Sequence, residues 1–220
     1  AEARLALRRF RGGVDRAISQ VPDWLKNDPG LIYERLRWRR KKGKYEFARE
    51  LLAKPPKDLG VPLRWWRERA IVARRALRAG LVSEAYELTK NHGLNEDQRS
   101  GLISAEWLAG WIALRFLKES DDKEAAYTHF VTAYRHATYP ISRSRGAYWA
   151  GRAAEASGEM RKAHTWFRRA FFHRTTYYGQ LAAARLPSGD RLELPSLPRI
   201  DQEKVKRFEQ NELVHVVRTL

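Results

Sequence analysis

The chain has 220 residues, with 43 Lys+Arg against 26 Asp+Glu, a formal net charge of +17 and 43% hydrophobic residues. Nine prolines and 14 glycines exclude a collagenous or wholly disordered class, and the length suffices for one large domain or two small ones with a real core. With no cysteine there is no disulfide framework, no thiolate nucleophile and no Cys-ligated zinc, while the redox compartment stays open.

Residues Ala1 to Gln20 carry Arg4, Arg8, Arg9, Arg11 and Arg16, with no apolar signal-peptide core and no initiating Met. The start therefore reads as a processing site or an artificial boundary. From Gly12 onward a unit recurs: a turn containing Gly or Asp, then a small residue opening an aromatic-bearing helix. It runs through Gly12-Gly13 to Ala17, then Gly43, Tyr45, Phe47 and Ala48, then Gly80, Ala85 and Tyr86. It continues through Asp121, Ala126, Tyr127 and Phe130 to Gly158, Ala163, Trp166 and Phe167. The alanines are 31, 37, 41 and 37 residues apart. The preceding helices repeat as well, Trp107, Ala109 and Gly110 matching Trp149, Ala150 and Gly151, and their small residues predict close helix approach.

Gly43, Gly80 and Gly158 are expected where a first helix ends and a left-handed residue is needed. Asp28 before Pro29, and Asn95 with Gln98, are start signals. The longest apolar run, Trp107 to Leu114, is eight residues bounded by Glu106 and Arg115, too short to cross a bilayer. The predicted fold is all-α: a right-handed superhelical solenoid of TPR-like helix-turn-helix repeats over residues 1–186, with about eleven or twelve helices and no strand. Pro187, Pro195 and Pro198 mark a Pro-rich linker over 187–200. Helical spacing resumes over 201–220, where Leu213, Val214, Val217 and Leu220 form a stripe without a polar finish, so the expectation is a further helical segment cut short.

Two basic clusters are candidates for polyanion attraction: Arg35, Arg37, Arg39, Arg40, Lys41, Lys42 and Lys44, then Arg64, Arg67, Arg69, Arg74, Arg75 and Arg78. Each run alone reads as a solvated face; the summed excess points to an anionic polymer, nucleic acid or cell-wall glycan. Most aromatic residues, among them Trp38, Trp65, Trp66, Trp107, Trp111, Trp149 and Trp166, fall at helical spacing and read as core. Tyr177 and Tyr178, followed by Gly179 and Gln180, are the least core-like. The ligand-binding candidates are thus Tyr177, Tyr178 and Gln180 with Arg35, Arg39 and Arg40.

His92, His129, His136, His164, His173 and His215 show no zinc-ligand spacing and read as structural or surface residues, so no metal site is assigned. No phosphate-binding glycine loop and no nucleophile elbow appear. A carboxylic acid catalyst needs burial to raise its pKa, whereas Glu119-Ser120 precedes Asp121, Asp122 and Lys123 in a wet turn. No catalytic residue and no cofactor are assigned.

Four segments carry a family resemblance: Arg35–Lys44, Ala105–Leu117, Ala147–Ala154 and Thr175–Leu186, the last containing Thr-Tyr-Tyr-Gly-Gln-Leu-Ala. Over most of its length the chain resembles the N-terminal superhelical part of the soluble lytic murein transglycosylases, in the form found in alphaproteobacteria. The resemblance implies a periplasmic parent whose helical ring or horseshoe lies beneath a lysozyme-like domain. That parent would cleave the MurNAc-GlcNAc β-1,4 bond to a 1,6-anhydro product through one glutamate in a Glu-Ser motif. Glu119-Ser120 does not match that motif, and the only methionine, Met160 in Gly-Glu-Met-Arg, lies in a repeat turn, so the catalytic domain is expected to be absent from this chain.

The expected role is a non-catalytic scaffold that guides peptidoglycan glycan strands, with the parent's catalytic domain as its other partner. The alternative is a stand-alone TPR-like adaptor for protein or RNA. The uneven repeat spacing disfavours nucleic acid, because an RNA-reading solenoid repeats its base-reading positions at constant period.

Overall fold

The computed structural model describes residues 1–187 and 201–219, which divide between two compact units, Ala1–Asp190 and Arg191–Leu220. The described residues form thirteen α-helices and no strand, against the eleven or twelve helices predicted. None of these helices is long and apolar enough to cross a membrane. The first unit runs α1 (Glu2–Arg8), α2 (Val14–Ser19), α3 (Pro29–Lys41), α4 (Tyr45–Ala53), α5 (Pro62–Arg78) and α6 (Val82–Lys90). It continues with α7 (Arg99–Phe116), α8 (Ser120–His136), α9 (Pro140–Ala156), α10 (Met160–Phe171) and α11 (Tyr177–Ala183).

Helices in this unit pack chiefly on their chain neighbours, and the odd-numbered ones from α3 to α11 also touch the next odd-numbered one. Local chemistry fixes the boundaries. The Asp28 carboxylate accepts the Leu31 N–H at 2.8 Å and Pro29 follows, which starts α3. Asn95 and Gln98 form the expected capping box, on a short 3-10 turn leading into α7. Gly43, Gly80 and Gly158 have φ of 73°, 78° and 79° directly after α3, α5 and α9. Each closes the same paired turn: Leu81 N–H donates to Ala76 O at 3.0 Å and Gly80 N–H to Leu77 O at 3.1 Å, with equivalents at Lys44 and Glu159.

The recurring alanines Ala48, Ala85, Ala126 and Ala163 are fully buried, and so are the residues four positions on: Leu52, Thr89, Phe130 and Phe167. One helical turn separates each pair, so both side chains face the preceding helix. The facing surface is hollowed to receive them. A Cβ on Gly110 would lie 3.0 Å from the Phe130 ring, and one on Gly151 would lie 2.6 Å from Phe167. Glycine at these positions brings α7 against α8 and α9 against α10.

The core is laid out in chain order rather than gathered at one centre. Trp65 and Trp66, adjacent on α5, illustrate this: Trp65 packs with Leu36, Ala48 and Leu52, while Trp66 packs with Leu94, Leu102 and Ile112. Burying such side chains stabilises by roughly 1.5–3 kcal/mol each. Arg69, also on α5 and 2% exposed, donates to Leu52 O at 3.0 Å and Leu88 O at 3.2 Å. It thereby caps the C-terminal carbonyls of α4 and α6, whose dipole ends favour a cation, while burial lowers its pKa to about 10.

The second unit contains α12 (Gln202–Glu209) and α13 (Glu212–Thr219), neither of which buries a side chain. Leu213 and Val217 of the predicted stripe are exposed there. Leu220, and the predicted linker apart from Pro187, lie outside the described residues.

Candidate anion-binding groove

The first basic cluster is largely engaged by the protein itself. Arg40 forms a two-point ion pair with Glu68 of α5, whose side chain is 6% exposed; one arm, Nη2 to Oε1, measures 3.1 Å. Arg39 donates to Phe47 O at 2.8 Å, lies over the Phe47 ring and reaches Glu50 at 3.9 Å. Buried Glu34 is shared by Arg8 at 2.6 Å and Arg37 at 3.9 Å. Lys41 and Lys42 lie over the Phe10 ring, and Lys44 over Trp38. Arg35 remains half-buried beside Arg39, whose pKa is lowered by burial and by the charge of Arg35.

A different set of cations meets between α8, α9 and α10. Tyr134, Arg143, Thr165, Arg168, Arg169, Phe172 and His173 line a groove of about 530 Å³ that contains no carboxylate. Arg143 donates through Nη2 to the Tyr134 hydroxyl at 2.8 Å and through Nη1 to Ala137 O at 3.2 Å, with its guanidinium 4.4 Å from the Tyr134 ring centre. Arg169 lies 4.3 Å over the Trp166 ring, and Arg168 is exposed. Phe172 is 78% exposed at the end of α10, its ring edge-on to His173. Burial, and secondarily the charge of Arg143, hold the His173 imidazole below its ordinary pKa.

The turn that brings Phe172 and His173 to the groove is fixed by the Thr-Tyr-Tyr-Gly-Gln segment. Thr176 caps α11 by accepting the Gly179 N–H at 3.1 Å, and its hydroxyl lies 2.8 Å from both His173 O and Ser144 Oγ. A Cβ on Gly179 would fall 2.1 Å from His173 O, so only glycine lets α11 sit against that turn. Among the candidates on α11, Tyr178 packs at 5.6 Å on Tyr148 in the core, whereas Tyr177 and Gln180 are exposed. Arg35, Arg39 and Arg40 belong to α3 and do not line this groove.

The aromatic residues read as core are buried in the case of Trp65, Trp66 and Trp166, and half-buried in the case of Trp38, Trp107, Trp111 and Trp149. Glu119 is exposed and starts α8, forming a capping box with Asp122. Among the described residues no group of three or more metal-ligating side chains could hold an ion. The groove eluded the sequence because its cations stand on two helices and never form a run. The local signal was Arg168-Arg169 followed by Phe171-Phe172-His173, a basic and aromatic helix end.

Compared with known protein families, characterised proteins and solved structures, the chain matches none.

Proposed function

We propose that this chain is the non-catalytic, right-handed superhelical, TPR-like scaffold of a periplasmic peptidoglycan lytic transglycosylase. In this reading the groove between α8, α9 and α10 guides acidic glycan strands toward the parent's catalytic domain, which cleaves the MurNAc-GlcNAc bond. The observation that carries it is the groove's lining, three arginines with exposed Phe172 and no carboxylate. Arginines pair with the carboxylates of stem peptides, and an aromatic face stacks on the apolar face of a sugar ring. The four-segment resemblance supports the choice of peptidoglycan over other polyanions. Arg35, Arg39, Tyr177 and Gln180 act as outlying contacts, with Tyr178 supporting Tyr177 from beneath at a ring distance of 5.1 Å.

Co-sedimentation with purified murein sacculi, with parallel RNA filter binding across a salt series, tests the reading. Retention on sacculi without release of anhydro-muropeptides is expected. Tighter binding to RNA with a steep salt slope would replace it by the adaptor reading, and release of anhydro-muropeptides would contradict the non-catalytic assignment.

A further inference from the structure

A cleft of about 830 Å³ lies between α4 and α6, apart from the groove on α8, α9 and α10. Its lining runs against the charge of the chain. Glu46 and Glu50 of α4 and Glu84 and Glu87 of α6 supply four carboxylates, against the two guanidinium groups of Arg49 and Arg69. Glu46 and Glu50 are one helical turn apart and share a side of α4.

These acids are not equally free. Arg49 Nε reaches Glu84 at 2.6 Å, which ties α4 to α6, and Glu87 is held by Lys90 at 2.9 Å and by Asn91 Nδ2 at 3.0 Å. Arg39 approaches Glu50 only at 3.9 Å, and Glu46 has no ion pair among the described residues. Both are exposed, so the least compensated negative charge stands on the α4 rim.

Arg69 is the opposite case, a buried cation without a counter-charge. It is 2% exposed, and no carboxylate pairs with it among the described residues. A guanidinium carries five N–H groups. Leu88 O and Leu52 O take one hydrogen each, from Nη1 and Nη2, and the others, Nε–H included, meet no acceptor among the described residues. Together with Pro55 and Asn91, Arg69 also lines an adjoining cleft of about 430 Å³, to which Lys57 adds a second cation. His92 on that wall is already engaged: Leu94 N–H donates to its Nδ1 at 2.9 Å, and its Nε2 lies 3.2 Å from Glu106, a carboxylate also held by His129.

The two charges select against simple ions. A cation drawn to the carboxylates would meet Arg69, while an anion drawn to Arg69 would meet those carboxylates and the negative dipole ends of α4 and α6. A molecule carrying both charges is attracted by both walls. We propose that the cleft between α4 and α6 binds a zwitterion of the free amino acid or short peptide class, its carboxylate directed at the unpartnered N–H groups of Arg69 and its ammonium at Glu46 and Glu50.

NMR titration of the ¹⁵N-labelled full chain tests the site, with alanine and trialanine as zwitterions and with acetate and methylammonium as the separate halves, all at matched ionic strength. The readouts are the Arg69 Nε–H signal and the amides of Ala53 and Thr89, whose peptide carbonyls Arg69 holds. Saturable shifts are expected with a zwitterion, and affinity about tenfold or more weaker for each half. Tighter binding of alanine would identify a free amino acid as the ligand, and tighter binding of trialanine a peptide with separated termini. Because replacing Arg69 endangers the fold, the variant is Glu46→Gln/Glu50→Gln on the exposed rim, which should weaken zwitterion binding about fivefold or more and leave the Arg69 signal of the free protein in place. No saturable shift, acetate or methylammonium binding as tightly as the zwitterions, or unchanged affinity in Glu46→Gln/Glu50→Gln would each overturn the proposal.

Discussion

The arginine-rich helix α3 and the groove between α8, α9 and α10 are both strongly basic, yet they use their cations in opposite ways. In the first region, carboxylates reach the guanidinium groups: Glu68 of α5 holds Arg40, and Glu34 of α3 is shared by Arg8 of α1 and Arg37 of its own helix. In the second, Arg143, Arg168 and Arg169 face a cavity with no carboxylate on its wall. A dense basic run therefore contributes largely to the fold, while a sparser set from two helices is free to meet an anion. Local charge density along the chain is a poor guide to which cations stay without a counter-charge; the placement of acidic residues around them decides it.

Removing an acid from the first region should have the largest effect. Glu68→Ala leaves Arg40 without its counter-charge in a mostly buried position and is expected to cost about 3 kcal/mol in urea denaturation, with binding by the folded fraction unchanged. Glu106, at the joint between α6, α7 and α8, should come next. Its carboxyl is held at about 2 against an ordinary 4.5, so its contribution is fully present above about pH 4.5 and is lost as the pH falls through about 2. Glu106→Gln should therefore destabilise by roughly 2–3 kcal/mol at neutral pH, with the gap to the unaltered protein narrowing at about pH 2.5.

Changes within the groove should move binding instead of stability. Arg168→Glu is expected to weaken retention on sacculi about tenfold while changing the unfolding free energy by less than about 0.5 kcal/mol, because Arg168 is exposed. Phe172→Ala should have the smallest effect, a three- to fivefold loss of affinity, or about 0.5–1 kcal/mol, with stability unchanged.

Much of the fold was legible because it rests on local chemistry. Gly43, Gly80 and Gly158 announce positive φ, Asp28-Pro29 and Asn95…Gln98 announce helix starts, and the spaced alanines announce the buried face. Helix number was harder to read, since α1 and α2 span seven and six residues, too few turns to establish a period. The groove and the contacts of Glu106 were hidden for another reason. The partners lie far apart in the chain: His92, between α6 and α7, and His129, on α8, stand 14 and 23 residues from Glu106. No single helix face brings such residues together, so only the packing of one helix on the next reveals which charges meet. Glu106 entered the sequence reading merely as the boundary of an apolar run.

Matched charge reversals would test most directly whether the groove, and not the overall charge of +17, binds the polymer. Arg35→Glu on α3 and Arg168→Glu on α10 change the net charge equally, so any long-range attraction falls by the same amount in both. Retention on murein sacculi at near-physiological salt should fall about tenfold for Arg168→Glu and no more than about twofold for Arg35→Glu. Equal losses, or a greater loss for Arg35→Glu, would contradict the assignment of the polyanion to the groove.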